Sequence, residues 1–217
     1  MSKKIVIIDY SLGNLSSVYN VFNYLGQDVL ITSDPEVIIQ SDAAVLPGVG
    51  SFKDAMLTLN TTGIGDAIFE FIKTGKHLLG ICLGMQLLFS KSEEFGETNG
   101  LNIISGSVKR FSNFSSDNLI NYKVPQIGWN KINYIEGHQL LEMTPLKNIS
   151  FISDYMYFIH SYYVVPDLIS IKLTHTNYAG IDYCSSILKD NIFAVQFHPE
   201  KSSKKGIQIY KDWLDIL

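Results

Sequence analysis

Two short stretches of this 217-residue chain carry residue types that could do covalent chemistry together. In His77-Leu78-Leu79-Gly80-Ile81-Cys82-Leu83-Gly84-Met85-Gln86-Leu87-Leu88-Phe89 an apolar run ends at a cysteine, and Met85, Leu88 and Phe89 then recur at helical spacing. The pattern predicts a buried strand that turns sharply at Cys82 into an amphipathic helix. A thiol at a helix N-terminus meets free backbone N–H groups and the positive end of the helix dipole, which favour thiolate over thiol. The N–H of Leu83 points where an oxyanion would form. Gly80 and Gly84 flank the corner, where side chains would crowd a strained turn. A buried structural cysteine could sit in the same composition, so the stretch gains meaning only with a base.

Phe193-Ala194-Val195-Gln196-Phe197-His198-Pro199-Glu200-Lys201-Ser202 supplies one. It is an apolar strand whose end delivers His198 and, two residues on, Glu200. An imidazole within reach of a thiol can take its proton, and a carboxylate on the other ring nitrogen fixes the tautomer and stabilises the imidazolium. A lone histidine at a strand end is usually a satisfied polar residue. Joined to a cysteine corner it becomes a far more specific pattern than either half.

The elements that must position these residues alternate strand and helix in the N-terminal half. Ile5 to Ile8 is a buried strand ending at Asp9; Leu15, Val18, Tyr19, Phe22 and Leu25 follow at helical spacing, with Gly26 as a stop. Val29 to Ile31 is a short strand, Asp34-Pro35-Glu36 opens a helix, and Ala43 to Leu46 is a third strand. That strand ends in the glycine-rich loop Pro47-Gly48-Val49-Gly50, where open α/β sheets put their sites. A plain turn explains the loop taken alone. Beside Cys82, the backbone of Gly48, Val49 and Gly50 becomes the candidate for a second oxyanion donor, and glycines on both sides of Val49 allow its peptide plane to turn. Residues 52–60 and 64–72 read as helical cover.

After residue 100 the texture becomes strand-rich. Residues 103–111 and 124–135 read as strands separated by the loop Ser112 to Asn118; 151–165 is a long aromatic strand region, and 173–176, 184–188 and 192–197 complete a β-rich half before a closing amphipathic helix through Ile207, Tyr210, Trp213, Leu214 and Leu217. Tyr155, Tyr157, Phe158, Tyr162 and Tyr163 read as core and interface packing.

Composition sets outer bounds. The chain is 46% apolar and 18% charged, with net charge −4, as expected of a single cytoplasmic α/β domain over residues 1–217. Its N-terminus does not read as a signal peptide, and no apolar run approaches membrane-spanning length. Cys82 and Cys184 are too few for a disulfide framework or a zinc site, so no metal is expected. Arg110 is the only arginine, and a mildly acidic chain without a basic stripe is a poor nucleic-acid binder.

Gly80-Ile81-Cys82-Leu83-Gly84-Met85-Gln86 with Phe197-His198-Pro199-Glu200 resembles the class I (triad) glutamine amidotransferases, and Leu46-Pro47-Gly48-Val49-Gly50-Ser51-Phe52 is similar to their oxyanion segment. Asp9-Tyr10, Gly13-Asn14-Leu15, Gly128-Trp129-Asn130, Tyr157-Phe158-Ile159-His160-Ser161-Tyr162 and Glu200-Lys201-Ser202 resemble, more narrowly, the glutaminase subunits of imidazole glycerol phosphate synthases. The resemblance covers nearly the whole chain. It implies a three-layer α/β fold on a mostly parallel sheet, with a strand-rich C-terminal half and no cofactor. It implies that Cys82 attacks the side-chain amide of L-glutamine while His198, oriented by Glu200, protonates departing ammonia. Gln86, Glu94 and the backbone of Ser161 and Tyr162 would hold the glutamine head group. Ammonia would pass to a barrel-shaped cyclase subunit of the HisF type, docked near Asn14, Gly128, Trp129, Asn130, Tyr157 and Lys201. A core aromatic is the other reading of Trp129.

Two segments depart from the family pattern. Ser11-Leu12-Gly13-Asn14 stands where Gly-Met-Gly-Asn is usual, and Gln126 stands where Pro-His-x-Gly-Trp-Asn has its histidine. Both fall on the side that the resemblance assigns to the partner. Three functions therefore stay open: the ammonia-donating subunit of this synthase or of a paralogue serving another pathway, such as surface-sugar amidation; a free-standing hydrolase of γ-glutamyl compounds; and a catalytically idle interaction module.

Overall fold

A computed structural model describes residues 3–111, 122–135, 143–149 and 154–217. The N-terminal half runs β1 (Ile5–Ile8), α1 (Leu15–Tyr24), β2 (Val29–Thr32), α2 (Pro35–Gln40), β3 (Ala43–Gly48), α3 (Phe52–Thr62), α4 (Ile64–Lys73) and β4 (His77–Cys82). Local chemistry explains its boundaries. Asp34 Oδ1 accepts from the backbone N–H groups of Glu36 and Val37 at 2.9 and 3.4 Å, and Pro35 occupies the first turn of α2, where its missing N–H costs nothing.

A short helix α5 (Leu83–Leu87) follows β4, then β5 (Phe89–Ser92), β6 (Thr98–Asn99), β7 (Ile104–Arg110), β8 (Gln126–Tyr134), β9 (Asp154–His160), β10 (Tyr162–Pro166), β11 (Lys172–Tyr178), β12 (Ile181–Lys189), β13 (Ile192–Val195) and α6 (Ser203–Asp215). The helix after Cys82 is thus shorter than its spacing predicts. Phe89, read there as a helical position, pairs with Ile104 in the sheet instead. Pro47 and Gly48, read as loop, still belong to β3. The loop Ser112 to Asn118 and the start of the aromatic region at 151–153 lie outside the described residues.

The sheet follows the order β2-β1-β3-β4-β13-β12-β10-β7-β5-β6, with β11 joined to β12 and β8, and β9 to β8. From β2 to β13 all pairs are parallel; beyond β13 most are antiparallel, so the expected parallel sheet is the N-terminal half of a mixed one. Successive strand residues go to opposite faces, and both faces are covered. Val6, Ile8, Ala44, Leu46 and Leu78 pack with Phe52, Ile68, Phe71 and Met85 on one side. Ile5, Ile7, Val45, Leu79 and Ile81 pack with Val18, Phe22, Ile209, Tyr210 and Trp213 on the other. That alternation makes the three layers. It also brings the C-terminal ends of β3, β4 and β13 side by side, with Gly48 opposite Cys82 and Val195 opposite Ile81.

The β8–β9 ribbon is covered on one face only. Met156, Phe158 and Ile132 point into the core, while Ile127, Trp129 and Tyr155 are more than half exposed. Trp129 is therefore not a core aromatic.

Candidate active site

Cys82 occupies the corner between β4 and α5 at φ 54, ψ −109, a backbone conformation that side chains rarely adopt. The turn is held by close approach. A Cβ on Gly84 would lie 1.8 Å from the Leu46 carbonyl oxygen, so only glycine lets α5 start this near β3. The thiol, 5% exposed, takes a hydrogen bond from Gln196 Nε2 at 3.6 Å. Gln196 follows β13 directly and is fully buried; sequence reading passed over it because a glutamine inside a strand-like apolar run carries no motif of its own.

His198 and Glu200 meet as the spacing predicts. His198 Nδ1 lies 2.7 Å from Glu200 Oε1, with both side chains at most 2% exposed. The other ring nitrogen, Nε2, is buried without a hydrogen bond of ordinary geometry and faces Cys82. Burial alone would lower the imidazole, but the charge and hydrogen-bonding of Cys82, followed by those of Glu200, override it and push His198 up to about 10. An imidazolium is thereby favoured beside the sulfur. The described residues contain no group of three or more His, Cys, Asp or Glu that could hold a metal ion.

Hydrogen bonds with Tyr157 on β9 and with Ser202 hold this histidine. His198 N–H donates to the Tyr157 carbonyl at 2.9 Å, Tyr157 N–H donates to Ser202 Oγ at 3.0 Å, and Ser202 Oγ–H donates to the His198 carbonyl at 2.7 Å. Ser202 closes that loop of three bonds, and only the fold reveals it. Tyr157 in turn carries Trp129 edge-on at 6.2 Å and Lys201 Nζ at 6.0 Å from its ring centroid. Asn130 Nδ2 donates to the Asn177 carbonyl at 3.0 Å, Gly128 sits between Ile127 and Trp129 at φ +127, and Asn14 precedes α1 without a side-chain capping bond.

A cavity of about 270 Å³ opens over the thiol, lined by Val49, Gly50, Cys82 and Leu83 at one end and by Gln86, Glu94, Ser161 and Tyr162 at the other, with Pro125, Ile159 and His160 as its wall. Most of the residues that the motifs single out for chemistry therefore share one space. Their hydrogen bonds refine the expectation. Gln86 Nε2 donates to the Tyr162 carbonyl at 2.9 Å and to Gln196 Oε1 at 3.0 Å, which leaves Oε1 as its open group. The Tyr162 carbonyl also meets His160 Nδ1 at 2.8 Å, and the Ser161 carbonyl takes the Phe111 N–H at 3.0 Å. Glu94 Oε2 accepts the Phe52 N–H at the start of α3; burial raises the carboxyl, partly offset by that bond.

The oxyanion segment is tied to the segment before α1. Val49 N–H donates to the Leu12 carbonyl at 3.3 Å, and Tyr10 Oη–H donates to the Pro47 carbonyl at 2.8 Å. The departure at Ser11-Leu12 thus touches the site and not only the partner side. Gln126 is likewise 2% exposed: its Oε1 accepts from Tyr183 Oη at 3.0 Å, and Tyr183 Oη lies 3.3 Å from His160 Nε2, so the side chain faces inward to the cavity wall.

The profile of the glutamine amidotransferase class-I family matches residues 6–216 of the chain. The imidazole glycerol phosphate synthase subunit HisH of Chlorobaculum tepidum is 44% identical over 98% of the chain and 100% of the relative. That of Syntrophotalea carbinolica is 43% identical over 98% and 100%, and that of Geobacter metallireducens 42% over 96% of each. Among solved structures, PurLQS from Thermotoga maritima superposes with a TM-score of 0.69 over 99% of both chains at 16% identity. A glutamine amidotransferase superposes with a TM-score of 0.68 over 97% of both chains, also at 16%, and these two likenesses speak for the fold alone.

Proposed function

The chain belongs to the class-I glutamine amidotransferases, and from that premise we propose that it is the glutaminase subunit of an imidazole glycerol phosphate synthase in histidine biosynthesis. It hydrolyses L-glutamine to glutamate and ammonia and passes the ammonia to a cyclase subunit. There ammonia joins a phosphorylated ribulosyl aminoimidazole carboxamide to give imidazole glycerol phosphate and AICAR. The likeness to HisH chains over their full length supports the pathway. No helix among the described residues is long and apolar enough to cross a membrane, in keeping with work in the cytoplasm.

The chemistry follows from the corner. Cys82 attacks the side-chain carbonyl carbon of glutamine as thiolate, and the oxygen gains a negative charge to which the Leu83 N–H, on the first residue of α5, donates a hydrogen bond. His198 enters as the imidazolium and gives its Nε2 proton to the leaving nitrogen, so ammonia departs and a thioester remains. The now neutral imidazole takes a proton from water, which attacks the thioester; glutamate leaves and the thiolate returns. Glu200 stabilises the imidazolium and fixes the ring. Gln86, Glu94, Ser161 and Tyr162 form the head-group end.

The observation that carries this reading is the buried 2.7 Å contact of His198 Nδ1 with Glu200, which leaves Nε2 directed at the thiol of a strained corner. A second feature bears on the choice between subunit and free-standing hydrolase. The Val49 N–H, the second oxyanion donor, is spent on Leu12, an arrangement suited to a subunit that waits for its partner. The test is glutamate release by the chain alone and with the co-purified histidine-pathway cyclase and its ligand. Strong activity alone favours the free-standing hydrolase, and stimulation by a paralogous cyclase only reassigns the pathway.

A further inference from the structure

Two buried glutamines form a directional chain of hydrogen bonds that ends on the Cys82 sulfur. The Tyr162 carbonyl can only accept, so the Gln86 atom 2.9 Å from it is the amide nitrogen. That nitrogen also lies 3.0 Å from the Gln196 amide, which must turn its oxygen there. The Nε2 of Gln196 is left to face the sulfur, at 3.6 Å. Gln196 has little room to move away: its side chain is fully buried, and its backbone N–H donates to the Ser185 carbonyl at 2.9 Å, where β13 leaves the sheet.

Two contacts of the sulfur pull in opposite directions. The Ile159 carbonyl, 3.9 Å away, can accept only from an S–H and favours the thiol. The Gln196 amide can only donate there and favours the thiolate. The titratable groups that face the sulfur are His198 with Glu200 behind it, Tyr10, Tyr183 and, across the cavity, Glu94 and His160. Burial raises the Tyr10 and Tyr183 phenols and the charge of Cys82 adds to each rise, so neither phenol ionises beside the thiolate. Among these groups His198 alone is a cation, and it surrenders its proton to the leaving nitrogen during turnover. An amide N–H has no proton to lose and stays a donor at every step.

We propose that Gln196 is a further catalytic residue, whose Nε2–H holds Cys82 as the thiolate before attack and receives the thiolate again when the thioester breaks. In that second step water adds its oxygen to the thioester carbon, His198 takes the water proton, and the C–S bond breaks with its electron pair left on sulfur, facing Gln196. Gln86 fixes which end of the Gln196 amide meets the sulfur. The inference deepens the glutaminase reading above.

In a Cys184→Ala background Cys82 is the only cysteine, so the ultraviolet absorbance of thiolate reports it alone. Gln196→Met keeps the length of the side chain and offers no N–H. The pH at which half of that absorbance is lost on acidification should rise by about one unit, the scale of a lost hydrogen bond to a charged group. In the complex with the cyclase, the acid limb of kcat/KM for L-glutamine should move up by the same amount. Gln196→Glu, which keeps an acceptor for Gln86 and sets a carboxylate against the sulfur, should raise the midpoint further and serves where the Met variant does not fold. An unchanged or lowered midpoint in a folded variant would overturn the assignment, since a purely structural role moves the melting temperature and not the thiolate. A wild-type complex that releases no glutamate overturns the glutaminase reading, while the absorbance midpoint still decides for or against Gln196.

Discussion

The backbone N–H of Val49 points to the carbonyl oxygen of Leu12 at 3.3 Å, so an amide beside the Cys82 cavity is engaged by the chain's own N-terminal segment. Turning that peptide toward the cavity breaks one hydrogen bond, which costs about 1 kcal/mol, while a missing oxyanion donor costs about a hundred- to a thousandfold in turnover. The isolated chain should therefore be a poor glutaminase, and the cyclase with its ligand should raise the rate by about that factor. Glutamate release with and without the partner measures it.

Cys82→Ala should reduce glutamine hydrolysis to background and leave the melting temperature nearly unchanged, since the small thiol contributes little packing. Cys184→Ala is the control: that thiol is buried among strands, its pKa pushed up to about 12 by burial, and it donates to the Ser186 carbonyl away from the cavity over Cys82. Retained turnover in the first variant, or loss in the second, reverses the assignment.

His198→Ala should cost about 10²- to 10⁴-fold in turnover and at least as much as Glu200→Gln, because the imidazole moves the proton and the carboxylate orients it. Alkylation of Cys82 by iodoacetamide should slow in the His198 variant. An unchanged alkylation rate would mean that this imidazole does not activate the thiol.

His160 sets an acid limit to stability. Buried and lowered to about 4, it is neutral in the folded chain and takes up a proton on unfolding below its ordinary 6.5, so stability is full above that value and falls as pH drops toward 4. The loss is on the order of 3 kcal/mol at the lower end. His198 adds no slope below 6.5, because a histidine raised to about 10 is protonated in both states there; its own contribution is full below 6.5 and is lost progressively as pH rises from 6.5 to about 10. Melting temperatures from pH 7.5 to 4.5 should drop less steeply for His160→Gln than for the wild type.

Trp129 and Lys201 both lie against one half-buried aromatic, Tyr157, whose backbone also holds His198. Trp129→Ala, removing an exposed aromatic anchor, should weaken cyclase binding by about thirtyfold, the scale of an interface hot spot of roughly 2 kcal/mol. It should lower the stimulated rate much more than the basal one. Titration of the cyclase against glutamate release separates the two effects, and an equal fall in both would place Trp129 in the site instead.

Much of this was legible in the chain because it is written in local rules. The β/α alternation of the first 82 residues, the cap at Asp34, the stop at Gly26 and the corner at Cys82 each follow from side-chain period, a fixed proline φ or a glycine that lets backbones touch. His198 and Glu200 needed only two residues of spacing to meet. The tertiary structure decided what depends on partners distant in sequence. Cys82 and His198 face each other because β4 and β13 pair in parallel register. The helix after Cys82 stops at Leu87 because Phe89 pairs with Ile104 and its neighbours join the sheet, a competition that no periodicity reveals. The Val49 peptide faces Leu12, Gln126 turns inward to Tyr183 and Ser202 locks His198 to Tyr157 for the same reason: a hydrogen bond forms with whatever the fold brings within reach, and the sequence names the donor without naming its acceptor.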